Sequence, residues 1–284
     1  SVFITPPVQD AQILKDELKK YTDVYFRRIN KFVMLSLVGA HMCIYGKDID
    51  PQTSVYLTTE RGNLGDTENV LNQIFRRQAL PMPYNFINTM SNTASFYVSQ
   101  GLKVSGRNIS VSSQNLSFER GLELLKTDMS LGTVDNAVIG GVDEANRSEV
   151  HFRKKFCVHF ESVSQMEGSC WLYLRSVREG AAGELTDIRS LSGKEEAMTW
   201  LMAKSYDEPP VISFGMAVKE EERMIWKRTI KHKEELDCIK EKGYYDSATA
   251  GTVCLFIREY RNTTMVHINK NFRGQYIILV VKSY

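Results

Sequence analysis

The stretch Gly106–Glu144, GRNISVSSQNLSFERGLELLKTDMSLGTVDNAVIGGVDE, decides how the rest of the chain is read. It opens with a run of β-formers from Ile109 to Ser113 and turns at small polar residues. A helix follows, with Leu116, Leu122 and Leu125 at helical spacing, and the chain returns as a strand ending in Gly140-Gly141. In such a strand–turn–helix–strand unit, the first residues of the helix sit among unpaired N–H groups at the positive end of the helix dipole. That environment favours developing negative charge and suits a nucleophile. The residue there is Asn115. A carboxamide has no proton that ionises near neutral pH and delocalises its nitrogen lone pair, so it cannot replace an activated Ser or Cys in covalent acyl transfer.

Working outward, the 284 residues suffice for one large core or two fused halves. Apolar residues make up 43%, charged residues 25% and the net charge is +2, so nothing in the balance asks for nucleic acid. Cys43, Cys157, Cys170, Cys238 and Cys254 form no CxxC pair and are odd in number, which points to a reducing compartment. Cys157 and His159 are read as structural residues, so no metal and no cofactor is expected. The most apolar run, Val33–Tyr45, is too short to span a bilayer, and the chain is expected to be cytoplasmic without a membrane span.

The turn Val111-Ser112-Ser113-Gln114-Asn115-Leu116-Ser117 resembles the nucleophile turn of the β-ketoacyl synthases, condensing enzymes of the thiolase fold, where V-S-T-A-C-A-S precedes the helix and the next strand ends in G-G. The resemblance places Asn115 at the cysteine and runs to Gly140 without insertion. It implies an α/β, thiolase-like fold: two pseudo-repeated strand–helix halves in a layered αβαβα domain, here reduced in its second half. The expectation is a single domain over 1–284, with approximate halves 1–150 and 151–284.

Other segments fit the same frame. Val2–Thr5 reads as a strand, and Asp10 caps a helix through Lys20. Tyr25 to Phe32 leads into an apolar helix, and Ser54–Thr59 is strand-like. Asp66 is expected to cap a helix through Arg77, with Val70, Leu71, Ile74 and Phe75 on one face. Tyr84 to Ala94 precedes a helix to about Gln100, whose Met90, Asn92, Ala94 pattern resembles the family's tunnel-lining helix. Met166–Leu174 resembles the family's G-E-G-A-G strand, with its turn at Val177–Ala181. Ser192–Lys204 reads as a helix and Pro210–Phe214 as a strand. Val218–Lys242 is expected to be charged, helical and exposed, with Met224, Ile225 and Trp226 as a limited apolar face. Tyr245 to Tyr260 is read as a turn and helix, and Met265–Ile268 and Tyr276–Val281 as strands.

By the same resemblance, condensation needs a cysteine and two histidines. The second histidine's motif, K-x-x-x-G-H-x-x-G-A-A-G, aligns with Lys240–Gly251 and puts Tyr245 at the histidine. The first, in H-G-T-G-T, has no counterpart; the nearest stretch is Phe214-Gly215-Met216-Ala217. The family's glycine-rich loop is reduced to Asn269–Gly274. Among His41, His151, His159, His232 and His267, only His267 is well placed.

The resemblance therefore implies no catalytic residue, with Asn115 and Tyr245 as degenerate positions. It implies a silent chain length factor, closer to the aryl polyene than the aromatic polyketide kind. Such a subunit pairs with an active ketosynthase as a heterodimer or dimer of heterodimers, and meets acyl carrier protein through that complex. Ile109, Val111 and Ser113 would form the shared edge beside Gln114, and Met90, Asn92, Phe96 and Phe118 would line the tunnel. Each two-carbon unit entering an apolar tunnel gains about 1.6 kcal/mol, so one blocking side chain can set chain length. The alternatives are a malonyl-carrier-protein decarboxylase or acyltransferase using Gln114, Asn115 and His267, and a homodimeric scaffold that binds carrier protein.

Overall fold

Strands and helices alternate because apolar runs of period two and period 3.6 alternate along the chain, and each needs a partner face to bury against. The structure, a computed structural model, describes residues 1–8, 10–27, 29–145 and 163–284. Cys157, His159 and His151 lie outside the described residues.

The first sheet contains β1 (Val2–Thr5), β2 (Ser54–Thr58), β3 (Asn108–Val111), β4 (Asn136–Asp143) and β5 (Glu167–Arg175), in the order β1-β5-β4-β2-β3. Here β2 runs parallel to both β3 and β4, while β5 is antiparallel to β4 and β1. The second sheet contains β6 (Gly183–Leu191), β7 (Val211–Phe214), β8 (Thr264–Lys270) and β9 (Tyr276–Ser283), in the order β6-β9-β8-β7. Because β5 belongs to the first sheet, the change of sheet falls between Arg175 and Gly183, later than residue 150.

Three buried clusters define the layers. Outside the first sheet lie α1 (Ala11–Leu18), α2 (Lys31–Ile44) and α5 (Asn92–Leu102), packed on Val55, Leu57, Val138 and Trp171. Between the sheets, α6 (Ser117–Ser130) and α10 (Ala248–Glu259) pack on Tyr56, Ala137 and Ile139 from one side and on Ile277, Leu279 and Val281 from the other. Outside the second sheet, α7 (Lys194–Met202) and α8 (Glu220–Thr229) bury Ala197, Leu201 and Trp226 on Ile212, Val266 and Ile278. This is the five-layer αβαβα arrangement. Val138 belongs to the outer cluster and its neighbours Ala137 and Ile139 to the inner one, as the period-two alternation of a doubly covered strand requires.

Four expectations change. Asn63, not Asp66, precedes α3 (Leu64–Phe75); Asp66 lies in its first turn, where the helix dipole favours a carboxylate, and it accepts a hydrogen bond from Asn30 Nδ2. Of the anticipated α3 face only Val70 is buried, while Leu71, Ile74 and Phe75 are exposed. Strand β6 went unrecognised because as an edge strand it alternates with too few apolar side chains. The charged region 218–242 forms two helices, α8 and α9 (Cys238–Lys242), with Glu235 bridged to Ile212 between them. There Trp226 and the whole Arg223 side chain are buried, the guanidinium pairing with Asp237 at 3.1 Å, whereas Met224 and Ile225 face solvent.

The centre depends on close backbone approach. A Cβ added at Gly140 would lie 2.1 Å from the Trp171 ring, and one at Gly141 2.6 Å from the Ala250 Cβ of α10. Gly140→Ala is therefore expected to lower unfolding stability by about 2 kcal/mol or more. Gly193→Ala, with open space around its Cβ position, is expected to stay within about 0.5 kcal/mol. Urea unfolding of the two variants checks the contrast.

Candidate functional site

The end of β3, the start of α6, the loop after β7, the start of α10 and the end of β8 converge on one small cavity. Its wall includes Asn115, Phe214, Met216, Tyr244, Asp246, Thr249, His267 and Asn269, and its volume is about 20 Å³. That is room for about one water molecule.

Gln114 reaches the helix start through a left-handed backbone, φ 52°, and is exposed. Asn115 follows, and its Nδ2 donates to the Lys270 carbonyl at 2.6 Å, tying the turn to the end of β8. Its Oδ1 is buried and accepts no hydrogen bond. Asn269 Nδ2 donates back to the Asn115 carbonyl at 3.2 Å and to Glu119 Oε1 at 2.6 Å. Glu119, 1% exposed on the inner face of α6, also accepts from Thr249 Oγ1 at 2.9 Å. Its Oε1 lies 3.6 Å from His267 Nε2. His267 Nδ1 in turn lies 2.8 Å from Ser213 Oγ. The polar chain Ser213–His267–Glu119–Asn269–Asn115 thus crosses the region between β7, β8 and α6.

A second polar knot closes the same end of the sheets. Asp143, at the end of β4, accepts from Thr59 Oγ1 at 2.6 Å, the Glu60 N–H at 3.0 Å, the Arg61 N–H at 3.1 Å and Ser247 Oγ. Asp246 accepts from Tyr244 Oη at 2.7 Å and pairs with Arg61 at 3.0 Å. Burial first, and then the neighbouring Asp246 charge, push the Asp143 carboxyl up to about 7, against the pull of its hydroxyl and amide donors.

The structure brings Asn115 and His267 together, but not Tyr245. Its ring turns into the core beside Gly168, its hydroxyl accepts from the Gly251 N–H at 3.0 Å, and burial holds its pKa well above the ordinary phenol value. The neighbouring Tyr244 lines the cavity instead. Phe118 is 1% exposed and packs within the core between the sheets. Met90, Asn92 and Phe96 are at the surface. Ile109, Val111 and Ser113 are half-buried on and just after β3.

Sequence reasoning missed Glu119, Ser213 and Thr249. A signal existed for Glu119: it falls three residues after Leu116 and three before Leu122, a carboxylate on an otherwise apolar stripe. Among the described residues, no three His, Cys, Asp or Glu side chains are grouped to hold a metal ion, and no helix is long and apolar enough to cross a membrane.

No known family model matches the chain, and no curated protein does. Solved structures do. The chain is similar to the ishigamide ketosynthase/chain length factor, with a TM-score of 0.69 and 12% identity over 94% of this chain and 84% of that one. It is similar to the AntDE:AntF complex, a type II PKS acyl-carrier protein with its ketosynthase bound to the hexaketide, with a TM-score of 0.72 and 14% identity over 91% and 86%. It is also similar to the ketosynthase ApeO in complex with its chain length factor ApeC from Xenorhabdus doucetiae, with a TM-score of 0.53 and 12% identity over 99% and 98%.

The Asp143 shift fixes the sign of one pH effect. Between its ordinary value of 3.8 and about 7, the folded chain binds this proton more tightly than the unfolded chain does. The group's contribution is therefore most favourable below about pH 4 and is lost as pH rises to 7. Relative to Asp143→Asn, the wild-type chain is expected to lose on the order of 4 kcal/mol across that window and none above it, read from melting temperatures between pH 4 and 8. With five layers, a strand–turn–helix unit feeding the central helix pair and these structural neighbours, the chain has the thiolase-like fold shared by ketosynthases and chain length factors.

Proposed function

We propose that the chain is a non-catalytic chain length factor, which pairs with an active ketosynthase and shapes that subunit's acyl tunnel in type II polyketide, aryl polyene or fatty-acid-like biosynthesis. The observation that carries this reading is the state of the nucleophile position. Asn115 offers no nucleophilic atom and is bonded to Lys270, and the cavity beside it, about 20 Å³, has no room for an acyl thioester. The decarboxylase or acyltransferase reading draws less support. His267 is engaged by Ser213, and neither Ser213 nor Gln114 lines the cavity.

The surface supports a partner. β3 is an edge of its sheet. The carbonyls of Arg107 and Val111 accept from β2 and the chain beyond it, so the ladder's alternation turns the N–H groups of Asn108, Ser110 and Ser112 outward. Beside this edge, where Asn108 Nδ2 donates to the Ser95 carbonyl at 2.9 Å, α5 exposes Phe96, and Phe75, Leu80, Met82, Phe86, Ile87 and Met90 are exposed in the sequence just before it. In the proposed complex, the edge joins its ketosynthase counterpart through main-chain hydrogen bonds, and Met90, Asn92 and Phe96 stand against the partner's tunnel. Carrier protein meets the assembled pair. The structural neighbours that are ketosynthase–chain length factor pairs agree with this arrangement.

Co-expression with a candidate ketosynthase is expected to give one co-eluting complex. Ser110→Pro removes the outward N–H together with the Ser110 Oγ hydrogen bond to the Ser91 carbonyl at 3.2 Å; measured against Ser110→Ala, which loses only the side-chain bond, it is expected to weaken co-elution at least tenfold while leaving the melting temperature of the isolated chain within a few degrees. Malonyl or acyl turnover by the isolated chain that disappears in Asn115→Ala overturns the non-catalytic reading. A stable homodimer of the isolated chain that does not exchange with ketosynthase favours the carrier-protein scaffold instead.

A further inference from the structure

The hairpin of α3 and α4 (Pro83–Ile87) reverses the usual placing of polar and apolar faces. Helix α3 lines a cleft with Asp66, Asn69 and Gln73, facing Asn85 of α4, while Leu71, Ile74 and Phe75, at helical spacing, are exposed. Its one buried residue, Val70, belongs to none of the three buried clusters. The root of the hairpin is fixed: Asn63 Nδ2 donates to the Met90 carbonyl at 3.2 Å, and Asn30 Nδ2 donates to Asp66. Helix α3 then carries the chain about 18 Å along its axis to a tip where Arg76, Arg77 and Leu80 are exposed, Leu80 at 96%. Apolar surface of this extent, held away from the core, marks a docking site.

Charge narrows the choice of occupant. From Asn69 to Phe118, 50 residues that include most of this hairpin, α5 and the β3 edge, there is no Asp or Glu, although an even spread of the chain's 34 acidic residues would put about six there. The cations of the stretch are Arg76, Arg77, Lys103 and Arg107. Arg107 pairs with Asp128 at 2.7 Å, whereas Arg76, Arg77 and Lys103 are exposed and have no ion-pair partner among the described residues. A two-fold homodimer through β3 would set this surface against its own copy, bringing cations together with no carboxylate from the stretch to answer them. A partner with carboxylates at the matching places meets no such repulsion.

We propose that the α3–α4 hairpin is a docking arm for an acidic surface of the ketosynthase partner. Its apolar side chains pack on that subunit, carboxylates there pair with Arg76 and Arg77, and the acid-free stretch disfavours self-pairing. This rests on the pairing proposed above and adds the chemistry of the surface that is met and the reason the pair is mixed.

Surface plasmon resonance of the full chain with a candidate ketosynthase tests it, with sedimentation velocity of the full chain alone. Raising NaCl from about 50 to about 500 mM is expected to weaken the complex at least fivefold, chiefly through slower association. Arg76→Glu/Arg77→Glu and Leu80→Ser/Met82→Ser, at exposed positions, are each expected to weaken it at least tenfold with melting temperatures within a few degrees of the wild type. Met202→Ser, equally exposed but on α7, is expected to stay within about twofold. The chain alone is expected to remain a monomer at concentrations that saturate the complex. A complex whose affinity is unchanged in both double variants overturns the docking arm and leaves the ketosynthase pairing standing, whereas no complex at all overturns the pairing itself. A wild-type homodimer as tight as the mixed pair overturns the bar to self-pairing. Co-sedimentation with phosphatidylglycerol vesicles that is lost in both double variants, with ketosynthase affinity kept, assigns the hairpin to a lipid surface instead.

Discussion

The fold hinges on how closely β4 lets its neighbours approach at Gly140-Gly141. On the outer side the Trp171 ring occupies the space a Cβ of Gly140 would need. On the inner side Ala250 of α10 and Ser247, the residue just before that helix, occupy that of Gly141. Two successive glycines, one per face, allow a bulky ring and a helix to press on the same strand from opposite directions. This brings α10 down onto the first sheet, and α10 in turn carries the second sheet's contacts. The same descent brings Ser247 to Asp143 and Asp246 to Arg61, so the polar knot at this end of the sheets follows from the glycine pair.

The same geometry sets the start of α6 opposite the start of α10, and hydrogen bonds among Asn115, Asn269, Glu119, Thr249 and His267 cross the space between them. Buried polar groups of this kind hold a single arrangement, because a group left without its partner carries its full desolvation cost. The polar chain resembles a nucleophile–base–acid series in composition. However, its hydroxyl, Ser213, is fully buried and away from the cavity.

The turn at Asn115 is tied to β8, while the edge of β3 has no strand partner among the described residues. An open edge strand with large exposed apolar side chains invites unwanted pairing unless it has a partner.

Most of the element order was legible in the sequence because the central segments carry clear signals: the Leu116, Leu122, Leu125 stripe of α6, the largely apolar run of α2, and the short apolar runs of β8 and β9. The absence of a thiol or hydroxyl at Asn115 was equally plain, since residue type alone decides it. What escaped depended on contacts between distant segments. Strand β6 is a strand only because β9 offers it a ladder, and Trp226 is buried while Met224 and Ile225 are not because one face of α8 meets the second sheet. The swap of Tyr244 for Tyr245 at the cavity, the placing of Phe118 in the core, and the meeting of His267 with Glu119 across 148 positions of chain all come from how α6, α10 and β8 are docked. Local periodicity carries no record of that docking, because close packing between layers is settled only when both faces are in place.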